Sequence, residues 1–227
     1  MRDREPLTIP ADILDLETVR LYPPSPEEDP AKMPPPAAWR VVVAGMCRLR
    51  WDSVAQAPKV EIASRWSHNE RPLVEHLVKV ISDRATLVTF NGRRFDVPVV
   101  LGACMRHSIP WPWFFGTPGV RVRWNTHGHI DLCDELSDHG AATMMGLDTW
   151  GLVTGLGRKT DSGTSVADLW EQSPQAVAEY CAGDVRLTAS LYIRWLVVSG
   201  AMSHERADAF YDAILAAPAQ VSELVEA

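Results

Sequence analysis

Apolar residues recur along the chain with two periods. Short runs over residues 7–16 and 39–51, the second rich in Val and interrupted at Gly45, have the pattern of strands. Residues 60–64 and 86–90 read as two further short strands. In residues 71–83, by contrast, Leu73, Leu77, Val78 and Ile81 return at helical spacing, which predicts a helix. Asn91 and Gly92 turn the chain from the fourth strand into a second helix over Asp96–His107, with Asp96 near the N-cap and Pro98 in the first turn. Further helices are expected over residues 147–156 and from Ser173, an N-cap followed by Pro174 at N1, to about residue 199. Strands first, then alternation with helices, predict an α/β fold with a mixed sheet flanked by helices.

One segment breaks the pattern. Residues 22–36 carry seven of the seventeen prolines together with Glu27, Glu28 and Asp29. Such a stretch lacks ladder N–H groups and is expected as an exposed, partly extended loop joining the first two strands. The 227 residues are expected to form a single domain, 1–227, ending in a helical extension over about 201–227.

Composition narrows the class. With 46% hydrophobic and 22% charged residues, the balance is that of a globular protein and not of a disordered or fibrous one. The first thirty residues are charged and proline-bearing, without the apolar run of a signal peptide, and no later stretch approaches a membrane span, so a cytoplasmic protein with no membrane partner is expected. Cys47, Cys104, Cys133 and Cys181 form no C-x-x-C pair, which predicts buried, reduced thiols. A net charge of -7 argues against nonspecific coating of nucleic acid, but carboxylates that bind metal belong to the negative count, so a nuclease is compatible with it.

Three acidic clusters carry candidate chemistry. Asp15 and Glu17 sit two apart at the end of an apolar strand, so they share one face, where they repel each other unless a cation lies between them. Taken alone, the pair also reads as a solvated strand end. Asp96 opens a helix directly after a strand; by itself this is the place of an ordinary cap. Tyr180 and Asp184 lie four apart on a helix and project from the same face, about 6 Å apart along the axis. Gly183 beside them costs about 1 kcal/mol of helix stability relative to Ala, which close approach of a substrate or a neighbouring strand would explain.

In order along the chain, Asp15-x-Glu17, Asn91-x-x-x-Phe95-Asp96 and Tyr180-x-x-x-Asp184 resemble the three exonuclease motifs of the DnaQ-like DEDD superfamily. The resemblance is closest to predicted 3′ to 5′ exonucleases related to the proofreading domain of family B DNA polymerases. It extends through residues 90–98, His129-Ile130-Asp131-Leu132 and residues 157–185. Five residues before the last Asp, where the superfamily's alternative has His, this chain has Glu179; Tyr180 marks the tyrosine subtype.

The resemblance implies an RNase H-like five-stranded mixed sheet with Asp15 and Glu17 on the first strand. It implies two divalent cations, Mg²⁺ or Mn²⁺, with Asp15 bridging both, Glu17 and Asp184 on the water-activating ion and Asp96 on the other. Tyr180 would orient the attacking water. Leu16, Thr18, Asn91, Arg94 and Phe95 would hold the terminal nucleotide. The implied activity is release of mononucleotides from 3′ ends of single-stranded DNA in repair or proofreading, with a polymerase or replication protein as a possible partner. An exoribonuclease and a catalytically silent nucleic-acid-binding domain are the alternatives.

Other features rank below these. Gly151, Gly155, Gly157 and Arg158-Lys159-Thr160 fail the spacing of a phosphate loop. His127, His129 and Asp131 are a candidate metal set, with Asp131 read instead as a helix cap or core-polar residue before residues 132–136. Trp111, Trp113, Phe114 and Phe115 are either base-stacking or core aromatics. Arg93, Arg94, Arg121, Arg123, Arg158 and Lys159 are candidates to line a phosphate path.

Overall fold

The computed structural model describes residues 10–27, 29, 32–159 and 165–225. The first strand, β1, spans Ala11–Arg20, four residues beyond its predicted end; its predicted start at 7–9 lies outside the described residues. After the proline segment come β2 (Trp39–Asp52) and β3 (Ala57–Trp66), then helix α1 (Glu70–Val80), β4 (Thr86–Thr89) and α2 (Asp96–His107). The second half holds α3 (Pro112–Gly116), β5 (His129–Asp131), α4 (Leu132–Leu136), α5 (Leu147–Thr154), α6 (Val166–Gln172), α7 (Pro174–Val198), α8 (His204–Ala216) and β6 (Ala219–Glu223).

The sheet is mixed and flanked by helices, as expected, in the order β5-β4-β1-β2-β3-β6. β1, β2 and β3 run antiparallel to their sequence neighbours, while β4, β5 and β6 pair in parallel. It has six strands where five were expected. The extra one, β6, lies in the C-terminal segment expected to be helical: that segment forms α8, capped by Ser203, and then returns as an edge strand beside β3. β6 is short and largely exposed, so no apolar alternation announces it. β5 was likewise missed, because three residues are too few to show a period.

Burial on both faces of β1 explains its uninterrupted apolar run. Ala11 and Ile13 pack with α7 in one core cluster; Leu14 and Leu16 pack with α1 and α2 in another. Alternation therefore delivers Asp15 and Glu17 to the α7 face. Opposite Asp15 lies Gly45 of β2, where a Cβ would stand 2.7 Å from Cys181 Sγ. This glycine lets α7 close onto the sheet. No neighbouring strand approaches Gly183, since nothing among the described residues comes within 4 Å of a Cβ built there.

The described residues of the proline segment are exposed through Met33, but its end is anchored. Pro36–Ala38 form one 3-10 turn, Trp39 Nε1 donates to the Pro34 carbonyl at 3.3 Å, and Arg106 of α2 donates to the carbonyls of Ala37 (3.1 Å) and Trp39 (2.9 Å). Nearby, buried Glu70 accepts from Val41 N (2.9 Å), Arg106 (2.7 Å) and His107 (2.8 Å), tying β2, α1 and α2 together. All four cysteines are free and buried, as expected. Among the described residues no helix is long and apolar enough to cross a membrane.

The anchoring divides the segment. Replacing residues 23–33 by a short Gly-Ser turn should leave the melting temperature within about 3 °C of wild type, whereas extending the deletion through Pro36 should lower it by at least about 6 °C. Calorimetric melting of both deletions checks this; equal effects would contradict the division.

Candidate active site

Four carboxylates from three elements converge beside the middle of β1, past the end of its pairing with β4. Asp15 and Glu17 come from β1, Asp96 from the start of α2 and Asp184 from α7. Glu17, Asp96 and Asp184 are 8%, 5% and 3% exposed, and Asp15 is partly buried. Ligand atoms of Asp15, Glu17 and Cys181 lie within 4.8 Å of one another.

Local structure explains each placement. At the end of β4 the chain turns through Asn91, with φ of 65°, and Gly92, where a Cβ would fall 2.5 Å from Thr89 Cβ. The Asn91 carbonyl accepts from the N–H groups of Arg94 and Phe95, and that of Gly92 from Val97. Asp96 is the first residue of α2 and not its cap: Phe95 occupies the cap position and no side chain caps the helix. The Asp96 carboxylate accepts from the backbone N–H groups of Asp96 itself and of Leu16 and lies close enough to Asp15 to raise its pKa. On α7 the spacing of Tyr180 and Asp184 brings both to Lys159, whose Nζ lies 2.5 Å from Asp184 Oδ2 and 5.1 Å from the Tyr180 ring centroid.

Electrostatics define what the cluster needs. Burial, then Glu17, Asp96 and Asp184, hold the Asp15 carboxyl well above the usual carboxylate range. Burial and the charges of Asp184 and Asp96 push Glu17 up to about 8, against the pull of Lys159. Asp96 rises to about 7 through burial and Asp131. Burial raises Asp184 less far, since Lys159 and the Tyr180 hydroxyl favour its charge. Burial opposes the charge of Lys159; Asp184 and Tyr180 outweigh it and raise its pKa. Burial also lifts the Tyr180 phenol, which is neutral near pH 7.

If all four acids ionise, one ammonium leaves three negative charges unbalanced, and divalent cations fit that deficit. Carboxylate oxygens suit Mg²⁺ or Mn²⁺. The neighbouring Cys181 thiol donates to Asp15 Oδ2 at 3.5 Å, and burial with the surrounding acids keeps it protonated, so the donor set is one of hard oxygens.

Placement of the remaining candidates varies. Asn91 and Phe95 lie half-buried beside Asp96, Phe95 edge-on to Trp39 at 6.0 Å, and Arg94 is exposed with its guanidinium at Met144 Sδ. Thr18 is nearly buried at the bulge after Glu17. Leu16 was expected to touch the nucleotide, but its side chain points away from the acids into the α1/α2 core, 5% exposed.

Arg93 is not open to a phosphate path, because its guanidinium is spent on the carbonyls of Val120, Asn125 and His129. Arg123 is paired with Asp134 and Arg158 with Asp148. Trp111 and Trp113 stack on each other inside the core and offer no face to a base; Phe115 stays exposed beside Arg121. His129 is buried with Nε2 on Thr89 Oγ1, His127 is exposed, and Asp131 caps α4 through Cys133 N, so the three form no metal set. Gly151 lies within α5, which excludes a phosphate loop there; Thr160 lies outside the described residues. Lys159, expected along a phosphate path, instead pairs with Asp184, a partnership whose sequence signal is no more than the Arg158-Lys159 pair in a glycine-bearing loop.

A family model described as a predicted 3′-5′ exonuclease related to the exonuclease domain of PolB matches residues 35–223. Among solved structures, the family B DNA polymerase from the hyperthermophilic archaeon Pyrobaculum calidifontis matches with TM-score 0.57 at 16% identity, over 88% of this chain and 28% of that one. E. coli Exonuclease I in complex with a dT13 oligonucleotide matches with TM-score 0.42 at 13% identity, over 89% of this chain and 42% of that one. The chain thus spans less than half the length of either. The polymerase likeness shows the expected RNase H-like fold. No curated protein matches the chain in sequence.

The raised acids give a pH prediction. Between about pH 4.5 and 8 the unfolded chain has released the Glu17 proton while the folded chain, with Glu17 held to about 8, still binds it, so this group's contribution to stability falls as pH rises through that window. Buried His129, whose pKa burial lowers, works in the opposite sense. Melting of wild type and Glu17→Gln in chelator should therefore show the variant gaining stability relative to wild type from pH 5 to 8, and Mn²⁺ should stabilise wild type most at pH 8. A constant difference between the two proteins would refute the raised Glu17.

Proposed function

Because the chain belongs to the family of predicted 3′-5′ exonucleases related to the exonuclease domain of PolB, we propose that it hydrolyses phosphodiester bonds at the 3′ ends of single-stranded DNA and releases mononucleotides. The observation that carries this reading is the convergence of Asp15, Glu17, Asp96 and Asp184, each with its pKa raised mainly by burial. Such a cluster repels itself unless cations fill it. The four acids would hold two divalent cations, Mg²⁺ or Mn²⁺. When bound, such a pair supplies an activated water, charge neutralisation at phosphorus and stabilisation of the leaving 3′ oxygen.

The chain's own groups divide the remaining work. Asp15, which feels the charges of all three other acids, would serve both ions, with Glu17 and Asp184 holding one and Asp96 the other. Tyr180, a neutral phenol, donates or accepts one hydrogen bond to orient the attacking water, as in the tyrosine subtype of the superfamily. Lys159 holds Asp184 charged and keeps the tyrosine aligned. Asn91, Arg94 and Phe95 flank Asp96 and form the approach of the terminal nucleotide, with Thr18 beyond Glu17. Relation to a polymerase exonuclease domain favours DNA over RNA, and a polymerase or replication assembly as partner.

Digestion of single-stranded DNA and RNA, labelled separately at each end, tests polarity and substrate. With Mn²⁺, DNA should shorten from its 3′ end into mononucleotides, faster than RNA, and chelator should stop it; release from the 5′ end or cuts in a circular strand would sink the proposal.

Variants separate the roles. Asp184→Asn should abolish turnover and weaken Mn²⁺ binding, while Tyr180→Phe should slow single-turnover cleavage by about 10²-fold with metal binding intact. Loss of Mn²⁺ by Tyr180→Phe as complete as by Asp184→Asn would contradict the assignment.

A further inference from the structure

The segment His129-Ile130-Asp131-Leu132 lies outside the cluster, yet its acid reaches the turn that presents Asp96. Asp131 is 2% exposed at the junction of β5 and α4. Its Oδ1 accepts from Asn91 N at 2.7 Å and from Cys133 N at 3.0 Å, and its Oδ2 accepts from Arg93 N at 2.8 Å. Capping α4 uses only the Cys133 bond. The other two run to a different element forty residues earlier in the chain, and they hold the turn between β4 and α2.

That turn needs holding. Asn91 adopts the left-handed region, which a non-glycine residue keeps only where its surroundings enforce it. Asp131 fixes the turn through its backbone N–H groups. The Arg93 side chain, bonded to the carbonyls of Val120, Asn125 and His129, pins it from the other side. Helix α2 has no side-chain cap, so these bonds, together with those of the turn's own backbone, set the direction in which Asp96 leaves the turn.

We propose that Asp131 is a positioning residue of the active site: by bonding the N–H groups of Asn91 and Arg93 it fixes the turn that aims Asp96 at the other three carboxylates. This rests on reading Asp96 as a metal ligand. The substitution that isolates the role is Asp131→Asn. An amide keeps one accepting oxygen and replaces the other with an N–H donor, which then opposes the N–H of Asn91 or of Arg93. Groups that orient ligands in this way typically govern metal affinity by about 10- to 100-fold.

Calorimetric titration with Mn²⁺ alone, on wild type, Asp131→Asn and Asp134→Asn, tests the inference. Asp134→Asn is the control, since it breaks the Arg123 pair on the same short helix without touching the turn. Wild type should take up two ions. Asp131→Asn should bind one of them at least about 10-fold more weakly and the other unchanged. Asp134→Asn should lower the melting temperature and leave both affinities intact. Two unchanged affinities in Asp131→Asn, or equal weakening of both ions, would overturn the proposal. A wild type that binds no Mn²⁺ would instead defeat the reading of the site, and this inference with it. Should Asp131→Asn fail to fold, hydrogen exchange in wild type decides: the Asn91 and Arg93 amides should exchange at least about 100-fold more slowly than in an unfolded chain, and unprotected rates would overturn the role of Asp131.

Discussion

Repulsion among four wholly or partly buried carboxylates is the constraint around which the site is built. Removing an ionised acid from water costs several kcal/mol unless a partner compensates, and here the nearest partners of Asp15 and Glu17 are other acids. Lys159 balances one charge. Among the described residues the rest of the deficit is left to protons or bound cations, which ties metal affinity, protonation and folding stability into one equilibrium.

Holding such a cluster together requires a scaffold that does not yield. Two-sided burial locks the register of β1, because a slip of one residue would turn Ile13 and Leu14 to the wrong cores and carry Asp15 and Glu17 to the face of α1 and α2. Gly45 lets α7 approach until Cys181 touches Asp15, and that approach sets the depth at which Asp184 and Tyr180 stand. Asp96 depends on a turn with a left-handed Asn91 and a glycine crowded against Thr89. Three unrelated local devices therefore meet at one point.

Periodicity made the cluster legible in part. A strand period places Asp15 with Glu17, a helical period places Tyr180 with Asp184, and the strand-to-helix change places Asp96. Each is local and needs no knowledge of the fold. What the pattern left unread depends on contacts far apart in the chain. Lys159 meets Asp184 twenty-five residues later, Asp131 meets Asn91 forty residues earlier, and β6 gains its place by pairing with β3 and packing Val221 against the core. The two glycines show the same limit. Gly183 attracted attention because a helix disfavours glycine, whereas Gly45, in a Val-rich strand, is the one pressed against a neighbour. Leu16 adjoins both acids in sequence, yet alternation turns it to the opposite core.

Two buried glutamates show why the cluster stands apart from the other buried acids. Glu70 is 5% exposed and Glu17 is 8% exposed, so burial alone does not distinguish them. Burial opposes the charge of Glu70, but Arg106, the Val41 N–H and His107 overcome it and lower its pKa below the ordinary value. Glu17 has Asp184 and Asp96 as neighbours, and its pKa rises to about 8. Asp134 follows the pattern of Glu70 in its geometry, paired through both oxygens with Arg123. A buried acid whose hydrogen bonds are complete within the chain contributes to structure. Acids gathered with one cation among the described residues are left short of partners, and that shortage is what a divalent ion would meet.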